Sequence, residues 1–154
     1  MSDADRNANR STTPSSTGFT EFISHNWAER IPGAVSLTPA AHPAATRRTV
    51  LSGEFTGVRL VLPAGHMKQR ANDTDYPYRA HSTFSYYTGW AAETVPDAVL
   101  VFEPTADGHD VTLYFRPTAD RTTEEFYADA SIGEFWVGAR PGLGEVSALL
   151  GLAT

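Results

Sequence analysis

The sequence predicts an α/β domain, a β-sheet flanked by helices, and three observations carry that reading. Helical stripes stand before and after a group of strand patterns. The continuously apolar Ala98–Phe102 and the alternating Val111–Phe115 flank the turn pair Asp107-Gly108, as the arms of an antiparallel hairpin would. A length of 154 residues fits one core and leaves little room for a second.

Residues 1–16 are rich in Ser, Thr, Asp, Asn and Arg, offer almost nothing to bury, and read as a flexible tail ahead of a domain at 17–154. From Thr17 onward Phe19, Phe22, Ile23, Trp27 and Ile31 fall on one helical stripe, which Pro32-Gly33 ends. A second helix is expected from Pro43 to about Phe55, with Gly57 beyond its end. Val58–Leu62 reads as a strand stopped by Pro63 and Gly65, and residues 66–83 as a long polar loop. Phe84–Thr88 is aromatic and reads as a further strand closed by Gly89. A short helix is expected over Thr123–Ala130, capped by Thr122 or Thr123, with Glu124 and Glu125 at its positive end. Glu145–Leu152 reads as the start of another helix, cut off as it begins, or as a short amphipathic turn, so the domain is expected to be truncated at its C-terminal end.

Net charge is −6, and the twelve Lys and Arg are scattered, the densest cluster being Arg47-Arg48. Binding a polyphosphate needs several cations on one face, so neither nucleic acid nor an anionic membrane is an expected partner. Absence of cysteine removes thiol nucleophiles, disulfides and zinc–thiolate sites, and suits a cytoplasmic location. Met1–Ser16 lacks the apolar run of a secretory signal, and no apolar stretch approaches the roughly 20 residues that span a bilayer.

Candidate chemistry concentrates in His66–His81. His66, Asp73, Asp75 and His81 offer two imidazoles and two carboxylates, but their spacing fits no compact metal motif, and a solvated loop is the simpler reading. Glu124 and Glu125 are adjacent, so on a helix they point apart rather than at one substrate, and Glu134 is the other carboxylate considered. There is no G-x-S-x-G, Walker A or G-x-G-x-x-G sequence. No complete catalytic apparatus is therefore expected in this chain. Tyr76, Tyr78, Phe84, Tyr86, Tyr87 and Trp90 crowd into fifteen residues, either as core or as a partner surface.

The same window, DTDYPYRAHSTFSYYTGW followed by PDAVLVFEP, resembles the N-terminal domain of the creatinase/prolidase family and of Xaa-Pro aminopeptidases within it. Tyr76, Pro77, Tyr78, Arg79, Ser82, Phe84, Tyr86, Thr88, Gly89, Pro96 and Ala98 fit the family pattern in order, and Thr112–Pro117 and Glu134–Gly142 match the next two blocks. The likeness covers roughly Ala45–Gly144. It departs at Ala80, His81 and Thr83, at a longer Ala91–Val95 stretch, and at an insertion over Thr122–Gly133.

The resemblance implies a mixed sheet flanked by helices, in a non-catalytic domain of a metal-dependent aminopeptidase. It implies no cofactor in this chain, and two manganese ions in a separate C-terminal catalytic domain that cleaves the bond before proline. Expected partners are that domain, other subunits, and a peptide with proline at its second position. The implied roles are oligomerisation and a share of a neighbouring subunit's substrate pocket, with Asp73 facing a substrate ammonium and Trp136 packing on its side chain or proline ring. By the same resemblance this chain alone is inactive. Two other readings stand beside it: a free-standing binding domain, and a small metal-dependent enzyme built on His66, Asp73, Asp75 and His81.

Overall fold

The computed structural model describes residues 16–29, 34–72 and 74–154. Along the chain run α1 (Thr17–Ser24), α2 (Ala41–Glu54), β1 (Leu60–Pro63), β2 (Gln69–Ala71), β3 (Thr74–Asp75), α3 (Ser82–Thr88), β4 (Val99–Thr105), β5 (Gly108–Tyr114), α4 (Glu125–Ala128), α5 (Glu134–Val137) and α6 (Leu143–Leu150). These fall into two compact units. A sheet unit takes in residues 34–67, 77–116 and 141–154, and an aromatic unit takes in the described residues among 16–29, 68–76 and 117–140. Among the described residues no helix is long and apolar enough to cross a membrane.

The sheet unit is an antiparallel β1-β4-β5 sheet flanked by helices. Leu62 stands opposite Leu100, which stands opposite Leu113, while Leu60, Phe102 and Val111 form the next cross-strand row. Alternation places Leu100, Phe102 and Leu113 on one face, where all three are fully buried. Val99 and Val101, on the opposite face, are half-buried. Phe84, Trp90, Val146 and Leu150 complete this core from α3, α6 and the loop after α3. Parallel pairing enters through a single-residue bridge between Thr112 and Ala153, with Leu113 N donating to Ala153 O at 2.8 Å.

Three expectations need correction here. Phe84–Thr88 is not a strand but most of α3. Ala80, Phe84 and Thr88 recur at intervals of four and are all buried, which is a helical period, and Gly89 closes the helix in the left-handed region at φ 72°. The residues of α2 hold that end: Arg47 Nη1 donates to Tyr86 O at 3.0 Å and Arg48 Nη1 to Tyr87 O at 2.8 Å, so two carbonyls at the helix terminus gain cationic donors. The aromatic β-propensity of the segment is overridden by this packing. Glu145–Leu152 is not a helix cut short either, since α6 ends at Gly151, again left-handed at φ 58°, before the Ala153 bridge. The hairpin turn lies one residue earlier than expected: Thr105 pairs with Gly108, leaving Ala106-Asp107 as the loop.

In the aromatic unit α1 is shorter than its stripe suggested. It stops at Ser24, and Asn26 at φ 61° breaks the chain direction, because asparagine enters that region more readily than most residues. Phe22 is left exposed, and Ile31 and Pro32-Gly33 lie outside the described residues. The polar loop contains a small hairpin, β2 with β3. The helix expected over Thr123–Ala130 is the single turn of α4, and neither threonine caps it through its side chain. Instead Asp120 Oδ1 accepts from Thr122 N at 2.8 Å and from its hydroxyl at 2.5 Å, an Asx-turn leading into the helix. Residues 119–133 close on themselves: Ala119 N donates to Ile132 O at 2.8 Å, and Glu134 N donates to Ala119 O at 2.9 Å. Gly133 is required at that closure, because a Cβ there would lie 2.3 Å from Phe126 O and 2.6 Å from Asp129 O.

Candidate functional site

Trp136 is the pocket candidate that the structure describes. It lies in α5, a single turn too short to hold a fixed orientation unaided. Its indole Nε1 donates to Tyr127 O at 2.8 Å, and its ring meets Phe135 edge-on at 5.2 Å. The side chain is nevertheless 57% exposed. An indole fixed through its N–H with an open surface offers a rigid apolar platform at little further entropic cost. Behind it Phe135 packs edge-on with Phe126 at 6.0 Å and with Trp27 at 6.1 Å. Asp73, the carboxylate paired with Trp136 in the sequence reading, lies outside the described residues.

The remaining motif residues divide by role. Phe84, Thr88 and Ala98 are core, which explains their place in the pattern without any chemistry. Gly89 is there for space as well as torsion, since a Cβ would lie 3.0 Å from Ala40 O. Tyr78 is half-buried and donates from its hydroxyl to Gly65 O at 3.0 Å. Burial, reinforced by the nearby Asp97 carboxylate, pushes its pKa up to about 12. Tyr86 is half-exposed and carries the Arg47 guanidinium over its ring at 4.2 Å. Tyr76, Arg79 and Ser82 are exposed.

The polar-loop histidines and carboxylates do not assemble into a described metal centre. His66 instead pairs through Nδ1 with the Asp97 carboxylate, and both are well exposed. Among the described residues no group of three or more His, Asp or Glu side chains could hold a metal ion. Glu124 serves as the N-cap residue of α4, and Glu125 and Glu134 sit in the first turns of α4 and α5.

Sequence reasoning missed a second feature, in the sheet unit. A cleft of about 540 Å³ opens between α2 and the hairpin tip, lined by Arg48, Thr49, Ser52, Thr56, Asp107 and His109 among others. His109 Nε2 lies 2.8 Å from Val58 O, and its Nδ1 lies 2.8 Å from Ser52 Oγ. A carbonyl can only accept, so Nε2 carries the proton, and in the neutral ring Nδ1 accepts from the serine hydroxyl. Both ring nitrogens are thus spent on tying the hairpin to α2 and its exit, a structural use. A separation of 57 residues hid the pair from any local motif.

Residues 44–154 match the family described as Aminopeptidase P, N-terminal domain. The chain belongs to that family. Xaa-Pro aminopeptidase 1 of Streptomyces coelicolor is 48% identical over 118 residues, covering 75% of this chain and 23% of that protein. Among solved structures, aminopeptidase P of Escherichia coli in a low-pH form superposes with a TM-score of 0.57 at 30% identity, over 73% of this chain and 23% of the other. Proline aminopeptidase P II of Yersinia pestis gives a TM-score of 0.57 at 27% identity, over 73% and 23%. The expected α/β architecture with helices flanking its sheet is therefore that of the N-terminal part of aminopeptidase P. This chain spans about a quarter of the length of the relatives it matches.

Proposed function

We propose that this chain is the non-catalytic N-terminal part of a cytoplasmic, metal-dependent Xaa-Pro aminopeptidase, with residues 17–154 as its domain. In this reading it assists oligomerisation and shapes the substrate pocket of a neighbouring subunit. Trp136 packs on the substrate's side chain or proline ring, and Asp73 meets its ammonium group. The supporting observation is the state of Trp136, held by its N–H to Tyr127 O while more than half of its surface stays open. A residue serving only the core would be covered. The two manganese ions of the family would supply Lewis-acid chemistry from a catalytic domain. Among the described residues no group of three or more His, Asp or Glu side chains is placed to hold them.

Steady-state hydrolysis of an Xaa-Pro peptide tests the reading. In the polypeptide with its catalytic domain, Trp136→Ala should lower kcat/KM by about tenfold, the scale of one well-packed apolar contact. An unchanged specificity constant would remove Trp136 from the pocket. The 154-residue chain with added Mn²⁺ should show no turnover, whereas metal-dependent hydrolysis would overturn the non-catalytic assignment.

A further inference from the structure

Two segments far apart in sequence meet in the aromatic unit. The described residues 16–29 precede the family match at 44–154, and the stretch after Arg121 separates the motif block that ends at Pro117 from the one that begins at Glu134. Arg121 forks onto the first of these, with Nη1 donating to Trp27 O at 3.0 Å and Nη2 to Ala28 O at 2.9 Å. That fork fixes the backbone of Trp27, whose ring packs edge-on with Phe126 at 5.5 Å and Phe135 at 6.1 Å. Phe135 in turn contacts Trp136 at 5.2 Å. A second path starts in α1: Phe19 meets the Tyr127 ring edge-on at 5.2 Å, and Thr20 Oγ1 lies 3.1 Å from the Tyr127 hydroxyl. Tyr127 O is the acceptor that holds the Trp136 indole. Both paths end on one side chain.

We propose that Arg121 and Trp27 are positioning residues for Trp136, and that the N-terminal segment and the stretch after Arg121 act together to set the indole's orientation. The proposal rests on the reading of Trp136 as a pocket residue, because an exposed indole needs a fixed orientation only if something is to meet it. The physical case is that a one-turn helix fixes its side chains poorly by itself. Its orientation is therefore inherited from the rings behind it and from the loop that supplies its acceptor. A misplacement of about 1 Å at a binding group can cost up to about 100-fold in rate.

The chain has three tryptophans, Trp27, Trp90 and Trp136, which makes ¹⁹F NMR of the 5-fluorotryptophan-labelled protein a direct readout. Arg121→Ala should move and broaden the lines of Trp27 and Trp136 and leave that of Trp90, buried in the sheet unit, in place. An unmoved Trp136 line would overturn the proposal. Should Arg121→Ala collapse all three lines, the milder Trp27→Leu decides by the same criterion on Trp136. Arg121→Lys, which keeps the charge but lacks the planar pair of nitrogens, should restore the lines only in part, and full restoration would count against the fork. In the polypeptide with its catalytic domain, Arg121→Ala should cut kcat/KM by up to about 10-fold, no more than Trp136→Ala does, and mainly through KM. If Trp136→Ala leaves kcat/KM unchanged while Arg121→Ala still moves the Trp136 line, the pocket reading fails and the positioning geometry stands. The converse pair of results removes the positioning role alone.

Discussion

The two units of this protein are held together by different means. In the sheet unit, the cross-strand row Leu62–Leu100–Leu113 and the buried Phe84 and Phe102 make an alternating interior, with α2 running for fourteen residues and α6 for eight beside it. The aromatic unit has two one-turn helices of four residues each, an Asx-turn at Asp120, an arginine fork at Arg121, and edge-on rings. The first relies on area removed from water, which is non-directional and tolerant of small adjustments. The second relies on directed contacts, each lost outright when one partner leaves.

Truncating the sheet unit's interior is the strongest way to break that contrast. Phe102→Ala removes a fully buried ring that also meets Tyr87 and His109, and should cost about 3–5 kcal/mol in urea unfolding. A cost near zero would mean that this core does not carry the unit. Gly89→Ala should have a smaller effect, about 1–2 kcal/mol from forcing a Cβ into the left-handed region, with the contact to Ala40 O added. A neutral result in the same assay would show that α3 can end differently.

The smallest effect belongs to the aromatic unit and is local. Hydrogen bonds from the Thr122 hydroxyl and backbone hold the Asp120 carboxyl below its ordinary value of 3.8. A lowered folded pKa contributes stability that is present above 3.8 and lost as the pH falls through the folded value. The protection of the Thr122 amide relative to its intrinsic exchange rate should therefore fall as the pH drops, and Asp120→Asn should flatten that dependence. Protection that ignores pH would dissociate the turn from the carboxylate.

The same contrast explains what could be read from the residues alone. The β4–β5 hairpin, the body of α2 and the existence of α6 were legible because period and turn chemistry are local signals. Phe84–Thr88 was misread because its tyrosines and phenylalanine favour strands, whereas its buried positions follow a period of four that Arg47 and Arg48 help to enforce from another helix. Trp136 entered the sequence reading only through a motif. Its surroundings were not legible, since Arg121 reaches Trp27 across 94 residues and Thr20 reaches Tyr127 across 107. Such pairs leave no spacing to detect.

The bridge that joins Ala119 to Gly133 has a consequence for how this region can change. Because the chain enters and leaves the intervening residues at one point, those residues form a closed excursion like an Ω-loop. The entropic cost of such a closure grows only slowly with length, by about 0.6 kcal/mol for each doubling. Residues can accordingly be gained or lost inside the excursion while its two ends, Ala119 and Gly133, stay bridged. The bridge works as a socket: residues between its two ends that do not touch the indole's supports can change in number, while Arg121, Phe126 and Tyr127 keep what they present to it.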